Sequence, residues 1–316
     1  MAVYTELAAE TLEAFLGTYD IGTLVSFHGI AEGVENSNFL LRTTEGDFIL
    51  TLFERRVNAH ELPWFLGLMQ YLAGRGLNCP LPVSDRSGAA LRSLADRPAA
   101  ITTFLPGVSA TQLDANLCLE LGKALARLHI AGEGYDAVRP NALSPVAWGP
   151  LLDSCGDSGD VLSPGLTVEV RTALHSVEAA WPAPADLPRG QIHADLFPDN
   201  VFFQNGQVSG LIDFYFACTD FLAYDLAICL NAWCFRDEKT FEPSFAAAIM
   251  HGYESIRSLN DAEKAALPIL CQGAAIRFLL TRLYDWINTP ADALVTRKDP
   301  LAYLRRLRHF QSTSHV

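Results

Sequence analysis

Positive charge is scarce in this chain. It carries 23 Lys and Arg against 36 Asp and Glu, a formal net charge of −13. So acidic a surface repels nucleic acid and anionic membranes, and neither is expected as a partner. The seven cysteines, at 79, 118, 155, 218, 229, 234 and 271, include no Cys-x-x-Cys pair, which leaves no zinc-site spacing and no disulfide framework. Apolar flanks such as Leu117-Cys118-Leu119 suit small buried residues in a reducing compartment, and a cytoplasmic location is expected. The first basic residue is Arg42, so the amino terminus lacks the positive region of a signal peptide. Long unbroken apolar runs are missing as well. The two longest candidates, near 222–235 and 265–280, are interrupted by Asp225, Asn231, Gln272 and Arg277, and neither is expected to span a membrane.

Half of the 316 residues are hydrophobic, enough for a sizeable core and for two lobes. The chemistry gathers in one stretch, His193-Ala194-Asp195-Leu196-Phe197-Pro198-Asp199-Asn200. Residues 201–203 read as a strand, Gln204-Asn205-Gly206-Gln207 as a turn, and 208–212 as a returning strand. A hairpin folded about Asn205-Gly206 carries Asn200 nearly opposite Asp213, with Asp195 just upstream. Oxygen-donor side chains at the mouth of a rigid ribbon suit a hard cation beside a hydroxyl nucleophile.

The rest of the chain changes character once. An amphipathic helix over 5–16 precedes strands at 23–30, 38–44 and 48–53, with a polar turn through Gly29 and Gly33 between the first two. A helix over 58–75 follows, with Asn58 and Glu61 at capping-box spacing and Pro63 near its start. Two more strands, 89–94 and 98–105, close the strand-rich part. Beyond Gly107 the pattern is helical: Leu113, Leu117, Leu121, Leu125 and Leu128 recur at steps of three or four between Asp114 and Gly132. His129, at the end of that helix, reads as packed or capping. Residues 132–165 show little periodicity and read as a long irregular insertion. Helices are expected again at 166–181, from 223 to about 233, at 239–256 and at 261–286, and Arg305-Arg306-Arg308 reads as a solvated helix face.

The spacing His-x-Asp-x4-Asn, followed by an Asp beyond the next hairpin, resembles the catalytic segment of the protein-kinase-like superfamily. The small residue after His193 and the absence of Phe-Gly after Asp213 resemble its aminoglycoside phosphotransferase branch. The runs Phe48 to Glu54, His193 to Asn200, Ile212 to Cys218 and Tyr224 to Ile228 are similar to the bacterial homoserine kinases of that type. The resemblance implies an α+β, bilobal protein-kinase-like fold. Residues 1–105 would form an N-terminal antiparallel-sheet lobe binding nucleotide, and 106–316 a larger, mainly helical catalytic and acceptor-binding lobe. It implies transfer of the ATP terminal phosphoryl group to the side-chain hydroxyl of L-homoserine, with ATP and Mg2+ as cofactors and no indication of oligomeric state.

By the same resemblance Asp195 is the catalytic base, Asn200 and Asp213 hold magnesium, and His193 packs beneath the metal-binding Asp. Asp225 becomes a scaffold acid that hydrogen-bonds the backbone of the catalytic loop. Thr103 and Leu105 offer hinge backbone to adenine, and Asn36 and Ser37 offer hydrogen bonds near the phosphates. Thr51 stands where such kinases place a phosphate-binding lysine, so Arg55 or Arg56 would supply the charge, or magnesium and loop amides would carry more of it. Tyr215, Asn231 and Trp233 lie after the metal Asp without an assigned role. Two alternatives stay open: a kinase of the aminoglycoside or choline type, and a nucleotide-binding module without catalysis.

Overall fold

In a computed structural model, residues 5, 7–30, 36–54, 58–289 and 297–313 are described. The chain divides into two compact units, Met1–Pro106 and Gly107–Val316. The first is built on an antiparallel sheet of β1 (Leu24–Gly29), β2 (Ser37–Thr43), β3 (Gly46–Leu52), β4 (Pro82–Val83), β5 (Leu91–Leu94) and β6 (Arg97–Thr103). Its order is β1-β2-β3-β6-β4, with β5 also on β6. Residue alternation along the strands divides the sheet into two faces. Phe39, Leu41, Leu50, Leu52, Ala99 and Ile101 point to one face and pack with Leu12, Phe15 and Leu16 of α1 (Ala9–Leu16). Asn38 and Thr51, cross-strand partners, point to the other.

Two local expectations for this unit need correction. The first helix starts at Ala9, not residue 5. The second, α2, runs over Leu62–Gly74 with Pro63 in its first turn, and no side chain caps it. Asn58 instead accepts the His60 amide in a local turn, at 3.1 Å, and reaches the Glu61 carboxylate at 3.4 Å. An Asx turn thus competes successfully with the capping box.

The second unit is helical. In α3 (Ala115–Ala131) the Asp114 side chain caps the Leu117 amide at 2.8 Å, and the leucine stripe buries Leu121, Leu125 and Leu128. α3 lies against α7 (Pro243–Glu254) so closely that a Cβ on Gly122 or Gly252 would come within 2.2 Å of a carbonyl oxygen of the opposite helix. The segment expected to be irregular contains α4 (Pro145–Cys155) and a 3-10 turn over Gly156–Val161. Trp148, Leu152 and Cys155 form its buried stripe, a periodicity hidden by Gly149 and Pro150. α5 spans Leu166–Ala180. α8 (Asp261–Asn288) opens on a capping box between Asn260 and Glu263. It is long and apolar enough to cross a membrane by composition, yet 78% of its apolar window is buried inside the protein. α9 (Leu301–Ser312) packs against it. All seven cysteines are buried and free.

Candidate active site

The site is built on a hairpin. β7 (Val201–Gln204) and β8 (Gln207–Leu211) are joined at Asn205 (φ 54°) and Gly206 (φ 76°), the left-handed pair that a tight hairpin turn demands. The register shifts between Val208 and Gly210, so that Leu211 faces Val201 and the Ile212 amide donates to the Asn200 carbonyl at 3.0 Å. Asp213 follows at once, left-handed (φ 63°) and exposed. At the same open end of the ribbon, Asn200 Nδ2 donates to the Asp195 carbonyl at 2.8 Å and to its Oδ2 at 3.3 Å. Asp195, Asn200 and the backbone leading into Asp213 therefore meet at one ribbon mouth. With Asn200 Nδ2 spent on Asp195, Oδ1 of Asn200 and the Asp213 carboxylate are the hard oxygen donors that suit a magnesium ion.

His193 ties the two strands of this arrangement. Its Nε2 donates to the Ile212 carbonyl at 2.9 Å, and its Nδ1 accepts from the Asp195 amide at 3.3 Å. Both bonds require the neutral ring with hydrogen on Nε2. Burial pushes the imidazole below its ordinary value, against the opposing pull of the Asp225 charge and the Ile212 carbonyl. The ring packs in a tilted arrangement on Phe214, beside Asp213, with the centroids 4.7 Å apart.

Ala194 is the strained link. Its φ of 62° is left-handed for a residue with a Cβ, and two opposite charges hold it there. Asp225, fully buried in α6 (Leu222–Trp233), accepts the His193 amide at 2.7 Å and the Ala194 amide at 2.8 Å. It also meets His129 Nε2 at 3.2 Å, while His129 Nδ1 bonds the Tyr253 hydroxyl. Burial alone would raise the Asp225 carboxyl, but the His129 bond, the nearby imidazoles and the His193 amide hold it below the usual carboxylate range. From the other side, Arg277 Nη1 donates to the Ala194 carbonyl at 2.5 Å. Trp233 Nε1 pins the Leu196 carbonyl at 2.8 Å. The loop carrying Asp195 is thus held at three backbone groups of His193 and Ala194 and again one residue beyond the aspartate.

Other residues singled out in the sequence fall elsewhere. The Asn36 and Ser37 side chains, expected near phosphate, are buried and committed to Glu54: Ser37 Oγ donates at 2.7 Å and Asn36 Oδ1 accepts its amide at 3.3 Å. Glu54 also takes Thr5 and Arg97, a partly buried carboxylate gathering donors in place of lost water. Thr51 donates to Asn38 Oδ1 at 2.8 Å, a neutral pair in place of a charge. Arg55 and Arg56, and the turn through Gly33, lie outside the described residues. The Thr103 amide is taken by the Leu81 carbonyl, which leaves Leu105, half-buried beyond the strand, with the freer backbone. Asn231 bonds the Ala227 and Cys271 carbonyls inside the core, and Trp233 serves the loop.

In the sequence Arg277 only interrupts an apolar run, and nothing near it signals its contact with the loop. Arg306, expected on a solvated helix face, is only 3% exposed. Its spacing from Tyr303 and Phe310, three and four residues away, places it on the buried face of α9.

A model described as the phosphotransferase enzyme family, APH, matches residues 26–267. The chain is 95% identical over its full length, and over the full length of the relative, to a homoserine kinase of Gluconobacter oxydans (strain 621H). It is 62% identical to the homoserine kinase of Gluconacetobacter diazotrophicus, covering all of this chain and 98% of that one. Among solved structures, an amicoumacin kinase in complex with AMP-PNP, Ca2+ and Ami aligns over 98% of this chain and 95% of its own, with a TM-score of 0.70 at 16% identity. A spectinomycin phosphotransferase in complex with ADP and its antibiotic aligns with a TM-score of 0.69 at 12% identity, over 98% and 97%. At those identities the structures share the fold.

Proposed function

The chain belongs to the APH phosphotransferase enzyme family, and from that premise we propose that it is a homoserine kinase, converting L-homoserine and ATP to O-phospho-L-homoserine and ADP. It is an enzyme with a hydroxyl acceptor. The observation that carries the reaction is the meeting of Asp195 and Asn200 through direct hydrogen bonds at the hairpin mouth, with Asp213 two bonded residues away. End-to-end likeness to curated homoserine kinases supports the acceptor.

The acceptor hydroxyl oxygen attacks the terminal phosphorus of ATP. A new O–P bond forms, the bond to the bridging oxygen breaks, and ADP leaves with that electron pair. Asp195 orients the hydroxyl and accepts its proton. Asn200 holds the Asp195 carboxylate in place, and the Asp225–Arg277 clamp on Ala194 fixes the loop before substrate arrives, so little reorganisation is left for the chemical step. Asn200 Oδ1 and Asp213 would hold magnesium, which when bound neutralises phosphate charge. Leu105 backbone is the better-placed partner for adenine. Threonine at 51 gives that strand no phosphate-pairing cation, so either Arg55 or Arg56 supplies the charge or metal and backbone amides carry more of the electrostatic load.

The test is ADP formation with a panel of acceptors: homoserine, serine, threonine, choline and an aminoglycoside. Homoserine is expected to give the highest kcat/KM. A preference for choline or the antibiotic would reassign the acceptor, and ATP binding without acceptor-dependent ADP release would remove the kinase reading altogether.

A further inference from the structure

The pocket needed for the amino-acid end of the acceptor is not named by the catalytic motif. Close to the Asp195 loop lies a cluster of charge that the mechanism leaves unused. Phe197, two residues beyond Asp195, packs on Phe278 of α8 at 4.9 Å, and Phe278 packs on Tyr303 of α9 at 5.3 Å. The guanidinium carbons of Arg282 and Arg306 lie over the Tyr303 ring, 4.6 and 4.1 Å from its centre. Arg306 is 3% exposed, and its Nε and Nη1 have no hydrogen-bond partner among the described residues. The Tyr303 hydroxyl is buried and equally unpartnered. Burial raises that phenol, against the opposing pull of the Arg306 and Arg282 charges.

Among the described residues one acid serves both arginines, and Arg282 Nη1 also donates to the Asp299 carbonyl at 3.1 Å. Glu238 Oε1 is 3.1 Å from Arg282 Nη1 and 4.0 Å from Arg306 Nη2, and its side chain is 47% exposed. It sits in a turn closed by the Lys239 amide on the Arg236 carbonyl, with Asp237 at φ 50° and Glu238 at φ 57°. Two consecutive left-handed residues are what a tight hairpin turn requires, here between Phe235–Arg236 and Thr240–Phe241. Among the described residues these two buried guanidinium groups share one half-exposed carboxylate, and buried N–H groups are ordinarily satisfied.

We propose, resting on the homoserine kinase reading, that Arg306 with Arg282 binds the α-carboxylate of the acceptor and that Glu238 takes its α-ammonium. The Glu238 carboxylate already seated on Arg282 demonstrates the complementarity. The hydroxyl and carboxylate of a four-carbon amino acid lie roughly 5 Å apart. Tyr303 lies with its ring beneath the two guanidinium groups and connects them through Phe278 to Phe197, two residues from Asp195. The site therefore selects an α-amino acid with a hydroxyl on its side chain, and disfavours a free amino alcohol.

The experiment compares three acceptors: homoserine; 3-aminopropan-1-ol, which lacks only the carboxylate; and 4-hydroxybutyrate, which lacks only the ammonium. Arg306→Met is expected to lower kcat/KM on the order of 10² for homoserine and 4-hydroxybutyrate, while aminopropanol stays within roughly threefold. Glu238→Gln is expected to weaken homoserine and aminopropanol and spare hydroxybutyrate. An equal loss for all three acceptors in Arg306→Met overturns the assignment and makes the arginine structural. Should that variant fail to fold, Arg282→Gln and a crystal structure of the unaltered protein with homoserine decide it: a carboxylate more than hydrogen-bond distance from both arginines overturns it. No turnover of homoserine by the unaltered protein, with turnover of another acceptor, instead defeats the homoserine reading itself.

Discussion

Replacing Asp225 with Asn is nearly isosteric, yet it strikes the backbone of the catalytic loop. Asp225 is completely buried and its two oxygens accept from the His193 amide, the Ala194 amide and His129 Nε2. Asparagine retains one acceptor and turns an NH2 group toward the donors of the other. In the less damaging orientation the amide oxygen keeps His193 and His129, and the NH2 faces the Ala194 amide. One buried N–H is then unsatisfied at a cost of about 1–3 kcal/mol, and the remaining bonds lose charge assistance worth about another 2. The expected destabilisation is about 3–5 kcal/mol, in line with breaking a buried charged network. Urea unfolding at pH 7 measures it. Because Ala194 is held left-handed by the same carboxylate, turnover should also fall on the order of tenfold or more in protein that remains folded. A folded-state carboxyl held below the ordinary 3.8 contributes stability in full above that pH, and loses it as pH falls through the folded value. The stability gap between the two proteins should therefore narrow in acid. A variant within 1 kcal/mol of the parent at pH 7, with unchanged turnover, would show that the clamp on the loop carries neither stability nor geometry.

Asp195→Asn should lower turnover on the order of 10² or more while nucleotide affinity is largely retained; near-normal turnover would remove Asp195 as base. Asp213→Ala should weaken ATP binding in magnesium far more than without it, measured by calorimetry in both conditions. His193, neutral in the fold and depressed below 6.5, refuses a proton that the unfolded chain accepts, so stability should be full above about pH 6.5 and decline below it until the folded value is passed. His193→Gln should flatten that slope in urea titrations between pH 7 and 5. Gly252→Ala places a Cβ 2.1 Å from the Leu119 carbonyl and should cost about 1–3 kcal/mol in thermal or urea unfolding by forcing α3 and α7 apart; an unchanged midpoint would show that the helices yield freely.

Local signals were enough for much of this protein. The left-handed Asn205-Gly206 turn, the Asp114 cap, the leucine stripe of α3 and the alternating strands of the first unit are each specified by neighbours a few residues apart. The spacing from His193 to Asp213 belongs with them, because a two-residue hairpin leaves little choice about which residues share its open end. Where Asn58 made a turn instead of a cap, and where Gly149 and Pro150 masked the stripe of α4, two local preferences competed and packing chose between them. The partners of the loop were decided only in three dimensions. Asp225 reaches back 31 and 32 residues, Arg277 reaches 83, and His129 comes from 96 residues away. No periodicity announces such pairs, since a buried charge is tolerated only when folding brings donors or an opposite charge to it. That is also why Arg306 reads as solvent-facing in a run of arginines, and becomes a buried cation once α9 turns its Tyr303 face inward.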